Sequence, residues 1–308
     1  MWHRHALRTL AGAIALVGIA TSVVAAVDED NWVGAGPLKG DKGYVTAPLG
    51  QLHYRDVGPR DSKQVLLLLH MTPLSMMQYT EAQNELASLG IRSIAVDTPG
   101  YGMSDAPSKS PTIPEYADNL VALLDHLKLD KVIVVGHHTG STIGASFAVR
   151  HPDRVSAIVL HGVTIFNEAE IALRVNRPAL RRPIKEDGSH LSSYFRPQQP
   201  GEKPHPKEWA KNQTWFTMLI YQMGPDFGHN AVYSHDSLGD FKALKTRGLI
   251  LSDSADAMHE IDQRAAKIRP NFAFKEFSDD GTLSIMDYPK EWAKVIYDFA
   301  ATTTKAER

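Results

Sequence analysis

The sequence predicts an α/β fold, with a mostly parallel central sheet flanked by helices and an inserted helical cap. Short, continuous apolar runs are typical of strands buried on both faces, and here they alternate with amphipathic helical patterns. This alternation is typical of parallel sheets with crossover helices. One long segment between two of the apolar runs interrupts it. We therefore expect a core of residues 27–165 and 247–308, with residues 166–246 inserted as the cap.

The first 26 residues are expected to form a secretory signal peptide. The basic stretch MWHRHALR precedes the apolar, small-residue run TLAGAIALVGIATSVVAA, and acidic residues follow. Cleavage is expected near Ala25 or Ala26. An uncleaved anchor is the alternative, because the run approaches membrane-spanning length. The pattern predicts an exported protein, periplasmic or secreted, with no membrane contact beyond this segment.

Seven strands are expected after the signal segment, the last of them at a sheet edge. They are residues 50–57, 64–70, 93–97, 131–136, 155–162, 248–253 and 271–277. Two helical patterns have a clear apolar face, and the first of them begins at Pro114. The faces consist of Leu120, Leu123, Leu124 and Leu127, and of Trp292, Val295, Ile296 and Phe299.

The predicted cap is rich in proline, aromatic residues and methionine. Its side chains Trp215, Met218, Tyr221 and Met223 are candidates to line a pocket. The alternative is that they pack the cap onto the core.

Composition limits the classes of function. The formal net charge is −2 and no basic patch stands out, so nucleic-acid binding is not expected. The chain has no cysteine, which excludes disulfides, thiolate zinc sites and a cysteine nucleophile. Neither His-x-x-x-His nor His-Glu-x-x-His occurs, and no metal site is predicted. The expected partner is a small-molecule substrate or ligand, without a cofactor.

The stretch VVGHHTGST, residues 134–142, has the outline of a nucleophile elbow, a sharp turn between a strand and a helix. In open sheets of this class, ligands bind beyond the carboxyl ends of the strands. His138 occupies the tip of the turn, and histidine tolerates the positive φ angle usual there. The sequence therefore places His138 in a candidate site.

The chain resembles the α/β-hydrolase family over nearly its whole mature length. The resemblance rests on five stretches in order: LLLLHMTPLS, DTPGYGMSD, VVGHHTGSTIGASFAVRHPDRV, LILSDSAD and DDGTLSIMDYPKEWAKVIYDFA. It implies the α/β-hydrolase fold, hydrolytic chemistry without a cofactor, and an acid at Asp256, with Asp253 as the other alignment. It also implies an oxyanion hole, a pair of amides from Thr72 and Thr139 that stabilises a negatively charged oxygen.

The sequence departs from the family pattern at two catalytic positions. His138 stands where the family has its serine, and Thr282 stands where it has its histidine. Met71 also replaces a glycine in the oxyanion loop. We expect the His138 ring to extend into the space left by Thr282 and to approach Asp256, directly or through water. His138 would then act as general base, with direct attack by the ring as a second option and a Thr282 nucleophile as a third.

The other histidines have open roles at this point. His70 is expected to be structural, behind the oxyanion loop, and His137 to pack inside. His161 and His259 are candidates to reach the pocket and replace the missing imidazole. Together with Met71, Trp215 and Tyr221, the histidines His70, His161 and His259 make up the candidate pocket residues. His229 and His235 are expected to face solvent.

These observations favour an atypical enzyme that hydrolyses an ester, lactone or similar bond in a small apolar molecule. A lyase on the same scaffold is one alternative. The other is a hydrolase-fold protein that has lost its chemistry and only binds a ligand, because fold alone does not decide function.

Overall fold

The computed structural model describes residues 40–175, 185–187, 226–277 and 283–306. The predicted signal peptide lies outside these ranges, and so do Trp215, Met218, Tyr221, Met223 and Thr282. Within the described ranges, no helix combines the length and the apolar character needed to cross a bilayer.

The centre of the fold is an eight-stranded sheet with the strand order β1-β2-β4-β3-β5-β6-β7-β8. Pairing is parallel from β4 through β8, while β1 and β2 form an antiparallel hairpin and β2 pairs antiparallel with β4. The predicted α/β class with a mostly parallel sheet is therefore confirmed. The strands are Asp41–Ala47, Gly50–Val57, Val65–Leu69, Arg92–Val96, Val132–His137, Val155–His161, Arg247–Asp253 and Ala273–Phe277.

Helices follow the strands on both faces of this sheet. The described ones, α1 to α9, are Thr80–Ser88, Ile113–His126, Thr139–Arg150, Glu168–Val175, Phe227–Tyr233, Ser237–Ala243, His259–Ile268, Ser284–Asp287 and Pro289–Ala306. Three of them, α4 to α6, lie between β6 and β7, in the segment predicted as the cap. The limits of that cap remain a prediction.

The predicted apolar faces pack as expected. Helix α2 begins with a capping box in which Thr112 and Glu115 each accept a hydrogen bond from the backbone of the other. Leu120, Leu123 and Leu124 are then buried in the larger apolar cluster on one side of the sheet. On the other side, α9 buries its apolar face, in which Trp292 is fully enclosed.

The hairpin at the β1 edge differs from the expectation. The sequence analysis did not identify β1, whose residues DKGYVTA are mostly exposed and pair with a single neighbour. The next strand, β2, was expected to alternate between apolar and polar positions. Instead Leu52–Val57 are all buried, because polar side chains on this strand have buried partners. His53, for example, lies with Nδ1 2.8 Å from Oδ2 of buried Asp97.

Candidate active site

The chain turns sharply at His138, between the end of β5 and the start of α3. The φ and ψ angles of His138 are 46° and −110°, in the strained region expected for an elbow. The backbones meet so closely that only glycine fits on either side. A Cβ atom on Gly136 would lie 2.2 Å from the Gly140 carbonyl oxygen, and one on Gly140 would lie 2.1 Å from the Leu69 carbonyl oxygen. These two glycines therefore allow the start of α3 to lie directly against β3 and β5, with His138 at the tip of the turn.

The His138 ring reaches Asp256, in the loop that follows β7. Nε2 of His138 lies 2.8 Å from Oδ2 of Asp256, and the second carboxylate oxygen accepts a hydrogen bond of 2.7 Å from the Met258 amide. Burial by itself would raise the pKa of Asp256. The charge and hydrogen bond of His138 and the Met258 amide outweigh burial, so the pKa lies below its ordinary value. Asp256 is thus an ionised acceptor.

This ionisation decides which nitrogen of His138 is available. A carboxylate only accepts hydrogen bonds. Nε2 of a neutral His138 therefore carries the proton and donates a hydrogen bond to Asp256. Nδ1 then holds the lone pair. The His138 side chain keeps 17% of its surface exposed, compared with 5% for Asp256. The arrangement therefore presents an oriented imidazole on a partly exposed side chain, with Nδ1 as its basic nitrogen.

Room for the ring comes from Gly162, directly after β6. Gly162 has φ +64°, and a Cβ atom there would lie 2.1 Å from Cδ2 and 2.5 Å from Nε2 of His138. Any side chain would push the ring away from Asp256. Gly162 was not predicted as a site residue, because its only signal in the sequence is a glycine at the carboxyl end of a strand.

Asp253 has a different partner. It is fully buried at the end of β7, where Oδ2 accepts hydrogen bonds of 3.1 Å from Nε2 of His161 and from the Ser284 amide. Nδ1 of His161 lies 3.4 Å from Nε1 of Trp292. His161 is 1% exposed. The expectation that it reaches the pocket is therefore not met, since both ring nitrogens contact buried partners beside α9.

His259 is also turned away from His138. Its Nδ1 lies 3.1 Å from the Ser252 hydroxyl oxygen, and its Nε2 lies 3.0 Å from the Gln263 side-chain nitrogen. The ring faces β8, with Nδ1 3.7 Å from the Glu276 carboxylate. The structure therefore brings only one of the predicted acids, Asp256, to His138, and it brings neither His161 nor His259 into the role of the missing imidazole.

The predicted oxyanion loop follows β3, the strand next to β5. Nδ1 of His70 donates to the Met71 carbonyl at 2.8 Å, and Nε2 accepts from the Thr98 amide at 2.9 Å, so His70 is structural. The Met71 side chain packs in a small apolar cluster with Leu74 and Leu283.

The amides of Thr72 and Thr139 remain the predicted donors of an oxyanion hole. Thr139 is the first residue of α3, and the first amides of a helix have no partner within the helix. Thr72 is buried in the adjoining loop, before a cis peptide bond to Pro73. Gly228 of α5 lies against Thr72, since a Cβ atom there would be 2.2 Å from the Thr72 hydroxyl oxygen. Helix α5 therefore covers this loop.

His137, which precedes the elbow, lies between two other imidazoles, and the three rings are tilted against one another. Its ring centroid is 4.4 Å from that of His138 and 4.7 Å from that of His161. Burial, and then the neighbouring histidine charges, hold its pKa well below the ordinary value. His137 and His138 are adjacent in the sequence, and no metal site was predicted for them. In the structure, however, one ligand atom each from His137, His138 and Asp256 lie within 4.8 Å of one another.

Comparison with known proteins agrees with this architecture. Residues 64–192 match the family described as alpha/beta hydrolase fold. The chain is 37% identical over 111 residues to epoxide hydrolase 3 of Siraitia grosvenorii, which covers 35% of this chain and 34% of that protein. It is 30% identical over 161 residues to an epoxide hydrolase of Caballeronia sordidicola, covering 51% and 47%. The chain thus spans about a third to a half of the length of these relatives.

The likeness to solved structures extends over most of the chain. A thermophilic esterase from Thermogutta terrifontis superposes with a TM-score of 0.66 at 22% sequence identity, over 86% of this chain and 99% of that chain. Identity this low speaks for the fold alone. The family match, the strand order and the elbow turn together show that the chain has the α/β-hydrolase fold.

Proposed function

We propose that this protein is a cofactor-free hydrolase that cleaves an ester, lactone or similar bond in a small apolar molecule. In this proposal His138 is the general base and Asp256 orients it. The observation that carries it is the 2.8 Å contact between Nε2 of His138 and Oδ2 of Asp256, at the position where the fold presents its nucleophile. One imidazole thereby takes the place of two side chains of the usual triad.

The mechanism follows from the position of the protons. Nε2–H of His138 donates a hydrogen bond to Asp256, so Nδ1 is free to take a proton from a water molecule as the water oxygen attacks the carbonyl carbon. Negative charge collects on the carbonyl oxygen, for which the amides of Thr72 and Thr139 are the candidate donors. The imidazolium, stabilised by Asp256, then returns the proton to the leaving oxygen as the C–O bond breaks.

Direct attack by Nδ1 is the second option for the same residues. Nδ1 would bond to the carbonyl carbon as the C–O bond breaks and the leaving oxygen takes a proton from water. A second water molecule would then hydrolyse the acyl-imidazole and free His138. Mass spectrometry of protein quenched during turnover separates the two routes. An acyl group on His138 supports direct attack, whereas an unmodified chain with full turnover supports the general base. The third option, a Thr282 nucleophile, concerns a residue outside the described ranges.

The alternative functions differ from the proposal in what they require of His138. A protein that only binds ligand needs no oriented base. A lyase needs the base but releases a product without the addition of water. The partial exposure of His138 and its ionised partner support an enzyme. The names of two relatives, both epoxide hydrolases, support hydrolysis as the leading reaction.

A substrate panel tests the proposal. The purified protein is assayed on p-nitrophenyl esters, aliphatic lactones and, because two relatives carry that name, styrene oxide. We expect turnover of at least one substrate and a loss of about 10²- to 10⁴-fold in kcat in His138→Ala, with a comparable loss in Asp256→Asn. His259→Ala removes an imidazole outside the site and is the matched control. Equal rates in all four proteins would overturn the proposal.

The predicted export remains part of the proposal. Removal of residues 1–26 on export would give a mature chain that begins after the small-residue cleavage site near Ala25 or Ala26. Intact-mass analysis of the protein recovered from the periplasm or the medium tests this. A full-length chain that stays with the membrane fraction would instead support the anchor.

A further inference from the structure

We infer that His137, His138 and Asp256 form a binding site for a divalent transition-metal ion of the Zn²⁺ class, and that the bound ion inhibits the enzyme. The site itself is argued from geometry alone. The inhibition rests on the proposed function of His138.

The three side chains provide ligand atoms of the right kind at nearly the right distances. Their ligand atoms lie within 4.8 Å of one another, and Nε2 of His138 and Oδ2 of Asp256 are already 2.8 Å apart. Zn²⁺ binds imidazole nitrogen and carboxylate oxygen at about 2.0–2.2 Å, so the ligand atoms of a tetrahedral site lie roughly 3.4 Å apart. Side-chain movements of about 1 Å close the difference. Two imidazoles and a carboxylate are a known ligand set for zinc, with a fourth position left for water.

A second observation points to a ligand at this place. His137 is 1% exposed, and its Nε2 is buried without a hydrogen-bond partner among the residues that the structure describes. A buried ring nitrogen without a partner costs free energy, and native structures rarely leave one so. An ion bound to this nitrogen would remove that cost.

The opposite nitrogen of His137 indicates where Nε2 points. Nδ1 lies 3.2 Å from Nε2 of Gln78, in the segment that follows β3. In the strand order β3-β5-β6-β7, that segment is on one side of β5, and the loop with Asp256 is on the other. Since the two nitrogens lie on opposite sides of the imidazole ring, Nε2 is directed toward the side of Asp256.

Gln78 also determines the protonation that an ion must change. Its Oε1 accepts a hydrogen bond of 3.1 Å from the Met71 amide, so its NH₂ group faces Nδ1 of His137. In the metal-free protein the proton of His137 is therefore on Nε2. An ion at Nε2 moves that proton to Nδ1, where an acceptor is needed. A carboxylate in place of the amide would accept from both His137 and the Met71 amide, as carboxylates behind zinc-bound histidines do.

The same shift explains the inhibition. An ion that replaces the proton between His138 and Asp256 occupies Nε2 of His138, and the proton then resides on Nδ1. Nδ1 is the nitrogen that the proposed mechanism uses as base. The bound ion therefore removes the basic lone pair without displacing the ring from the site.

Metal titration tests the site directly. After treatment with EDTA and removal of the chelator, the protein is titrated with ZnCl₂ by calorimetry and with CoCl₂ by visible absorption. We expect one ion per chain at this site and affinity at least 10-fold weaker in His137→Ala and in Asp256→Asn. His259→Ala is the matched control and should bind as the unmodified protein does. Absence of stoichiometric binding, or binding that His137→Ala leaves unchanged, would overturn the inference.

The Gln78→Glu variant keeps the test decisive if His137→Ala fails to fold. The substitution is nearly isosteric, and we expect it to strengthen Zn²⁺ binding by about 10- to 100-fold. An unchanged or weaker affinity in a folded Gln78→Glu protein contradicts the assigned role of His137.

Hydrolysis assays separate this inference from the proposed function. Zn²⁺ should lower turnover in proportion to occupancy, and EDTA should restore it. If one Zn²⁺ binds through His137 but no substrate is cleaved, the site stands and the proposed function fails. If substrate is cleaved and Zn²⁺ does not bind, the site fails and the function stands. Full turnover at saturating Zn²⁺ would overturn the inhibition.

Discussion

Gly162 lies directly against the imidazole of His138, so closely that a Cβ atom at Gly162 would be 2.1 Å from Cδ2 of the ring. The two residues come from neighbouring parallel strands, β5 and β6, which end side by side. The elbow turn sets the position of the His138 backbone, and Gly162 leaves the space in which the ring lies. The contact between His138 and Asp256 therefore depends on a residue that takes no part in the chemistry.

Gly162→Ala is expected to separate His138 from Asp256. The added methyl group cannot coexist with the observed ring, and we predict a fall in kcat of about 10²-fold, with a smaller effect on KM. Steady-state kinetics on the best substrate of the panel gives both constants. The substitution also places alanine at a positive φ angle, which costs about 1 kcal/mol of stability by itself.

Gly90→Ala is the control for that backbone strain. Gly90 has φ +78°, and a Cβ atom there would meet nothing within 4 Å. Both variants should lose a similar amount of stability in thermal unfolding, but only Gly162→Ala should lose activity. Equal kcat values for the two variants would show that the ring does not need its observed position.

His138→Ser restores the residue type that the family has at the elbow, and we predict that it does not create an efficient esterase. A serine needs an imidazole to take its proton. Among the described residues, His161 and His259 were the predicted replacements for the missing imidazole, and both rings contact other partners. Activity on p-nitrophenyl esters should stay within about threefold of His138→Ala. Strong esterase activity in this variant would mean that another general base lies within hydrogen-bonding distance of the introduced hydroxyl group.

Substitution of Asp256 should lower activity, whereas substitution of Asp253 should lower stability. Asp256→Asn weakens the hydrogen bond that orients the His138 ring. It should lower kcat by about 10²-fold and change the free energy of unfolding little. Asp253→Asn weakens the buried contacts to His161 and to the Ser284 amide, and it should cost about 1–3 kcal/mol of unfolding free energy. Its kcat should stay within a fewfold of that of the unmodified protein. The reverse pattern would assign the orienting role to Asp253.

Most strands of the sheet could be predicted from the sequence, but the edge strand β1 could not. Continuous apolar runs predict β3 to β6 because those strands are buried on both faces, and parallel neighbours require this. The residues of β1 are mostly exposed, so burial imposes no pattern that could identify the strand. The other edge strand, β8, was predicted as an edge. Its side chains are largely exposed and β7 is its one neighbour in the described sheet.

At the site, the elbow pattern and the family resemblance identified the pair but not its surroundings. The elbow places His138, and the resemblance implies Asp256, with Asp253 as the other alignment. The contact of Gly162 with the ring depends on how β5 and β6 end in register, which no local pattern reports. The assignment of the His137 proton depends on the orientation of the Gln78 amide, whose oxygen accepts a hydrogen bond from the Met71 amide. Interactions of this kind become visible only when the strands are assembled.

Asp262 of α7 should make the protein less stable as the pH rises from about 4 to about 8. The residue is fully buried, and burial raises the pKa of its carboxyl to about 8. The Val163 amide, the Ser252 hydroxyl and the charge of His161 lower the pKa, and the charge of Asp256 raises it, but burial outweighs them. Between these pH values the unfolded chain releases this proton while the folded chain keeps it. Folding therefore becomes less favourable with rising pH, and the effect levels off above the folded pKa.

Asp262→Asn should remove this pH dependence. Asparagine can still accept the hydrogen bond of 2.6 Å from the Val163 amide, and it has no proton to lose. Each pH unit between the two pKa values is worth about 1.4 kcal/mol, so the variant should gain roughly 2–4 kcal/mol relative to the unmodified protein between pH 5 and pH 8. Urea unfolding at both pH values measures the gain. Asp61→Asn, in the exposed turn before β3, controls for the loss of one carboxyl and should leave the dependence as it is. If Asp262→Asn and the unmodified protein lose stability in parallel, the carboxyl of Asp262 is ionised in the folded state and its burial must be compensated by charge or water.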